Sequence, residues 1–97
     1  MSAYTVDYFI EKFEEIPEHM WIIRTFRDPF CRCCAYGFCG VGESSKTTEE
    51  AKQLQKLFSE EMLLVTTIND CETQQFPQPT PKQRILAALN YIKNKTT

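Results

Sequence analysis

The stretch from Cys31 to Gly40 is the feature that most limits what this chain can fold into. It contains four of the five cysteines, and its one charged residue is Arg32. Free cysteine is among the residue types most often buried and packs as a small hydrophobe. A chain of 97 residues forms one domain around one core. We therefore expect residues 1–97 to form a single domain with this stretch in its core.

The cysteine count and the hydropathy pattern favour a cytoplasmic protein with reduced thiols. Five cysteines is an odd number, and the first residues lack a basic region followed by an apolar one. No run approaches eighteen apolar residues, so no membrane partner is expected. Disulfides are rare in the cytosol.

Helical periodicity and capping residues predict three longer helices and one short one. The first spans residues 5–16, and the second opens with a capping box between Thr47 and Glu50. The third opens at Thr80, with a proline at the first helical position. A short buried helix is expected over residues 34–40. The predicted core faces of the three longer helices are Val6, Phe9, Phe13 and Ile16; Leu54, Leu57, Phe58 and Met62; and Ile85, Leu86, Leu89 and Ile92.

Two β-branched and aromatic runs predict extended structure. Residues 20–26 suit a strand, and a turn at Asp28-Pro29 would fold residues 30–33 back on residues 21–26 as a β-hairpin. Residues 63–68 suit a short strand, after which Asn69 and Asp70 enter an irregular loop. The predicted fold class is therefore α+β, with three longer helices, one short buried helix and a β-hairpin.

Charge is distributed unevenly along the chain. The net charge is −2, yet Arg24, Arg27 and Arg32 lie close together, and Asp28 is the single acid between Met20 and Gly42. The overall negative field opposes broad binding to duplex nucleic acid, which needs many phosphate contacts.

The arginine-rich strip and nearby aromatic residues predict a pocket for a small anionic or nucleotide-like ligand. Guanidinium groups bind phosphate in bidentate fashion, and aromatic faces stack on bases. The alternative is that the aromatic residues belong to the core and the arginines to a solvated hairpin tip. Asn69 and Asp70 either contribute to the pocket or cap a turn. The predicted ligand-binding residues are Trp21, Arg24, Arg27, Arg32, Tyr36, Asn69 and Asp70.

The cysteines allow two further chemistries. A thiol hydrolase or transferase would use Cys34 at a helix start, His19 as base, and Asn69 or Asp70 as the orienting group. A zinc site would draw on Cys31, Cys34, Cys39 and Cys71, or on Cys31 and Cys33 with His19. The spacing argues against zinc, because the chain lacks the two separated cysteine pairs that such sites usually have.

Short motifs through most of the chain resemble a family of small uncharacterised bacterial and phage proteins. These motifs are Phe9–Phe13, Ile16–Glu18, Trp21, Cys33–Gly37, Ile68–Asp70 and Thr80–Leu86. Family members carry a Cys-Ala-Leu-Gly segment, a later Asn-Asp and a closing amphipathic helix. Tyr36 stands where the family usually has leucine, Cys34 is the shared cysteine, and Cys31 is peculiar to this chain. The resemblance implies no established activity, but phage occurrence suggests a protein that neutralises a host factor.

The sequence as a whole predicts a non-enzymatic binding protein that needs no cofactor. It would sequester a small anionic ligand or mask a host protein such as a defence factor. A cysteine-dependent enzyme centred on Cys34 is the first alternative, and a zinc-stabilised interaction module is the second. An exposed hairpin edge would also allow pairing into a homo-oligomer.

Overall fold

The computed structural model of the chain describes residues 4–23, 32–39 and 48–96. The regular elements in these ranges are helices. They are α1 (Val6–Glu15), a 3-10 turn (Glu18–Met20), α2 (Ala35–Phe38), α3 (Glu49–Ser59), α4 (Val65–Asp70) and α5 (Pro81–Thr96). Helix α5 contacts α1, α3 and α4, so it organises the packing of the described chain.

The predicted α+β class is wrong, because the described residues contain no sheet. One isolated bridge joins Trp21 to Cys33, and it is parallel, whereas a hairpin would make it antiparallel. The tip and half of each arm of the predicted hairpin, residues 24–31, lie outside the described residues. The homo-oligomer was predicted to pair through an exposed hairpin edge, and the described residues contain no strand that could supply this edge.

The strand predicted over residues 63–68 is also wrong. Leu63 and Leu64 are extended, and α4 begins at Val65. Val65 and Ile68 are both buried, at the i, i+3 spacing of one helix face. A short apolar run does not distinguish a strand from a buried helix by periodicity, and here tertiary burial decides in favour of the helix.

Helix α1 confirms the prediction made from its cap and its apolar spacing. The Thr5 hydroxyl accepts a hydrogen bond from the Tyr8 backbone N–H at 3.2 Å, which satisfies one of the free donors of the first turn. Phe9 and Phe13 are fully buried and stack with their ring centroids 6.0 Å apart. The helix ends at Glu15, just before the Ile16-Pro17 pair.

The starts of α3 and α5 differ in how closely they follow the prediction. Helix α5 begins as expected, with the Thr80 hydroxyl accepting from the Gln83 N–H at 3.2 Å. Helix α3 is capped by Thr48, whose hydroxyl accepts from the Ala51 N–H at 3.1 Å. Thr47, the predicted cap, lies outside the described residues.

Helix α2 is the short buried helix that the sequence predicts. Ala35 and Gly37 are buried within it, and Cys33, Cys34 and Cys39 beside it are buried as well. These three cysteines therefore belong to the packed interior, as expected for free thiols in a small core. Across the described residues, no helix is long and apolar enough to span a bilayer.

Candidate functional site

Trp21, the aromatic centre of the predicted ligand pocket, lies in the hydrophobic core. Its side chain is 6% exposed. Its ring makes edge contacts with Phe13 and Phe38, at centroid distances of 5.2 and 4.8 Å. The indole N–H donates to the Ile16 carbonyl oxygen at 3.4 Å. This packing resembles that of a core tryptophan and does not favour a role in stacking on a base.

Of the other predicted ligand residues, the structure describes Arg32, Tyr36, Asn69 and Asp70. Arg24 and Arg27 lie outside the described residues. Arg32 is exposed. Tyr36 is half-buried against the core, and burial raises the pKa of its hydroxyl. The ligand site therefore stays a prediction.

Asn69 and Asp70 form the last turn of α4, not the entrance to a loop. The Asn69 amide is buried and makes three hydrogen bonds. Its Oδ1 accepts from the Ala35 N–H at 3.1 Å, which caps the start of α2. Its Nδ2 donates to the Ile22 carbonyl oxygen and to Asp70 Oδ1, both at 2.9 Å. Asn69 thus joins α4 to α2 and to the segment after Trp21, which is a structural role.

Arg84 is a buried residue that the sequence prediction missed. Its guanidinium donates to the carbonyl oxygens of Ile68 at 2.8 Å, Asn69 at 2.7 Å and Gln78 at 2.9 Å. The Ile68 and Asn69 carbonyls lie in the last turn of α4, where a cation is favoured. Its burial could have been predicted from spacing, because Arg84 precedes the buried Ala88 by four residues and so lies on the core face of α5.

Burial acts on the cysteines in the direction opposite to that required of a nucleophile. Burial raises the pKa of Cys34 and outweighs the hydrogen bonds from the Gly37 and Tyr36 backbone, which lower it. Burial, followed by the charge of Glu50, raises the pKa of Cys39 to about 12. His19, the predicted base, is exposed on the 3-10 turn. A reactive cysteine needs a lowered pKa, so these environments do not favour thiolate chemistry.

The predicted zinc site is not formed by the residues that the structure describes. Within residues 4–23, 32–39 and 48–96, no three His, Cys, Asp or Glu side chains are grouped so that they could hold a metal ion. Cys31 lies outside these ranges. Cys71 is exposed, whereas Cys34 and Cys39 are buried.

The turn after α3 has an unusual residue at its key position. The Leu63 N–H donates to the Phe58 carbonyl oxygen at 2.9 Å, and the Met62 N–H donates to that of Ser59 at 3.0 Å. These two bonds define a Schellman motif, in which the residue with left-handed backbone geometry is usually glycine. Here that residue is Met62, with φ of 59°.

Met62 was predicted to lie on the core face of α3, and this prediction is wrong. The Schellman turn reverses the chain at Met62, so its side chain is 94% exposed. Leu64, two residues later, is 66% exposed. Among the described residues, these are two of the three large hydrophobic side chains that are exposed; the third, Ile23, is 39% exposed.

Met62 and Leu64 lie at an open groove of about 320 Å³. The groove lies between the turn after α3, α4 and the loop that follows α4. Its lining is mainly apolar, with amide and hydroxyl groups from the loop. We call it the Met62 groove, and its lining residues are Met62, Leu63, Leu64, Thr67, Ile68, Thr73, Gln74, Gln75 and Phe76.

A second, wider cleft of about 630 Å³ runs along α1 and is more polar. Its main cation, Lys12, is already paired with Glu50 of α3, which also accepts from the Tyr8 hydroxyl at 3.0 Å. Burial is the largest single effect and lowers the pKa of Lys12, but the hydrogen bond to Glu50 and the negative charges nearby together outweigh it, so the net pKa is raised. This cluster joins α1 to α3, which accounts for its conformation without a ligand.

Comparison with known proteins adds no relative to this description. No family model, no curated protein and no solved structure matches the chain. The resemblance to small bacterial and phage proteins therefore stays a prediction from the motifs alone.

Proposed function

We propose that this chain is a non-enzymatic binding protein that masks a surface of a partner protein through the Met62 groove. The observation that carries the proposal is Met62 itself. A 94% exposed methionine occupies a left-handed position that glycine usually fills. Neither its backbone geometry nor its burial explains why methionine stands there.

The energetics of this position support a role outside the core. A non-glycine residue in left-handed geometry costs about 1–2 kcal/mol. The side chain recovers little of this cost by burial, because nearly all of it is in contact with solvent. Strain of this kind concentrates at binding and switch sites. Methionine is also flexible and polarisable, which suits a surface that adapts to a partner.

The neighbouring residues extend Met62 into a contact surface. Leu64 is 66% exposed, and Phe76 contributes a buried aromatic ring to the groove. Exposed apolar groups that cluster at a groove are typical of protein interaction sites. The resemblance to phage proteins suggests that the partner is a host factor in the cytoplasm.

Sequestration of a small anion is the alternative function, and it has less support. Its aromatic centre, Trp21, packs in the core, and its predicted amide, Asn69, is committed to Ala35, Ile22 and Asp70. The side chains of Met62 and Leu64, in contrast, are mostly exposed to solvent.

Photo-crosslinking in the source cells tests the proposal. Leu64 is replaced by the photoreactive residue p-benzoylphenylalanine, and the matched control carries it at Gln55, an exposed position of α3 that does not line the groove. We expect a discrete protein adduct from position 64 and none from position 55. The adduct from position 64 should disappear when M62S is added.

Three results would overturn the proposal. They are an absence of adducts at position 64, equal adducts at positions 64 and 55, and an adduct at 64 that M62S leaves unchanged. Circular dichroism of each variant confirms that the helices are retained, so loss of the adduct cannot be attributed to unfolding.

A further inference from the structure

The Met62 groove lies in an acidic part of the chain. Residues 57–81 contain four carboxylates, from Glu60, Glu61, Asp70 and Glu72, and no lysine, arginine or histidine. Glu60 and Glu61 immediately precede Met62, and Glu72 immediately precedes Thr73, so acidic residues adjoin two sides of the groove lining. Glu60 and Glu72 are exposed.

Arg84, the buried cation of α5, does not neutralise this rim. Arg84 is 3% exposed, and its donors are directed to the carbonyl oxygens of Ile68, Asn69 and Gln78. Its positive charge therefore interacts with the carbonyl oxygens at the end of α4. Lys56 lies one turn before Glu60, and Lys82 donates to the Glu14 carbonyl oxygen, so residues 56–82 together still carry a net charge of −2, which favours a cationic partner at the mouth of the groove.

The groove combines this acidic rim with an apolar floor and neutral polar edges. Ile68 and Phe76 supply buried apolar surface, and Met62 and Leu64 supply exposed apolar surface. Gln74 and Gln75 are exposed at the edge and carry amides that can bond a peptide backbone. The volume of about 320 Å³ is near the lower end of ligand pockets, which suits a few inserted side chains.

We infer that the partner presents a short apolar segment flanked by lysine or arginine residues, whose apolar side chains enter the Met62 groove while its cations face Glu60, Glu61 and Glu72. This inference rests on the proposed function and names the chemistry of its partner. Charge complementarity of this kind selects partners and speeds their association.

The electrostatic preference has a predictable size. Each exposed ion pair contributes little, so three such pairs together give roughly a tenfold preference for basic over acidic flanks. The preference should shrink at high salt, since exposed charges are screened within about 10 Å at 0.1 M ionic strength.

Selection from a random peptide library tests the inference. Sixteen-residue peptides are selected on the full chain and counter-selected on the M62S/L64S variant, so that recovered sequences depend on the groove. We expect apolar residues flanked by lysine or arginine. A Glu60→Lys, Glu61→Lys, Glu72→Lys triple variant should select acidic flanks instead. The matched control, E11K/E14K/E15K, changes the charge equally at exposed positions of α1 that do not line the groove and should still select basic flanks.

The outcomes separate this inference from the proposed function. Groove-dependent peptides with neutral or acidic flanks would overturn the charge inference and leave the proposed binding surface in place. Basic flanks that persist on the E60K/E61K/E72K variant would also overturn it. Recovery of no groove-dependent peptide would overturn the inference, and the crosslinking at position 64 would then decide the proposed function independently.

Discussion

Replacement of Arg84 by methionine should destabilise the fold strongly, although Ile68 is the one residue of the proposed binding surface to which Arg84 donates a hydrogen bond. Methionine keeps most of the aliphatic stem but removes all three hydrogen bonds of the guanidinium. Two of these bonds, to Ile68 and Asn69, are buried at 2.8 and 2.7 Å. The two carbonyls of the last turn of α4 would then lack their donor.

The magnitude follows from these two buried bonds. Hydrogen bonds to charged groups contribute about 1.5–3 kcal/mol each, and removing a buried charge recovers part of its desolvation cost. We expect R84M to lower the free energy of unfolding by about 3 kcal/mol. With a urea m-value of about 1.5 kcal/mol/M, the midpoint of unfolding should fall by about 2 M.

Urea unfolding followed by the fluorescence of Trp21, the one tryptophan in the chain, measures the effect. The matched control is K82M, which removes one exposed hydrogen bond from Lys82 to the Glu14 carbonyl oxygen and should cost below about 0.5 kcal/mol. R84K keeps the charge but loses the planar fork, so it should recover less than half of the loss. A loss for R84M that differs from K82M by under 1 kcal/mol, or full recovery in R84K, would refute the reasoning.

Four other predictions concern the turn after α3, the cysteines and bound ligands. M62G should raise the unfolding free energy by about 1 kcal/mol, seen as a melting temperature higher by about 4–8 °C, while it abolishes the adduct at position 64; a less stable variant would contradict the strain argument. In mass-mapped alkylation at neutral pH, the exposed Cys71 should react well before Cys34 and Cys39, and the reverse order would revive thiol catalysis. Because the pKa of Cys39 is raised to about 12 from an ordinary 9.0, the folded state holds its proton where the unfolded state loses it. Stability should therefore be unaffected by this group below pH 8 and fall by up to about 1.4 kcal/mol per pH unit between pH 9 and 12, and C39A should flatten this slope. Native mass spectrometry of the protein purified from cells should show the mass of the polypeptide without zinc, and an added mass of a few hundred daltons would favour the anionic ligand instead.

The helices that the sequence predicted correctly include those whose first turn is capped by a residue just before it. Thr5 and Thr80 cap α1 and α5 with hydroxyl bonds three residues ahead, and such bonds depend only on neighbouring residues. The short buried helix α2 was also predicted from a local signal, because the apolar composition of the stretch around Cys34 requires burial.

The errors arose where distant contacts decide the local conformation. The run from Leu63 to Ile68 has strand-forming residues, but Val65 and Ile68 pack as one helix face and Arg84 closes the last turn of that helix. Sixteen residues separate Ile68 from Arg84, so a local pattern could not show their bond. The buried Arg84 itself is recognisable only by its place on the core face of α5.

The proposed site was hidden for a related reason. Met62 continues the apolar spacing of α3, and that spacing placed it in the core. No glycine marks the end of α3, so the chain reversal had no sequence signal. The exposure of Met62 follows from the Schellman turn, which only the structure shows.

The most direct test of the proposed binding surface observes Met62 in the unmodified protein. With ¹³C-methyl labels on methionine, the spectrum reports on Met1, Met20 and Met62. When extract of the source cells is added, the Met62 methyl resonance should shift or broaden more than that of the half-buried Met20. Spectra in which Met62 and Met20 stay unchanged, or change equally, would contradict the proposal that this protein binds its partner through the Met62 groove.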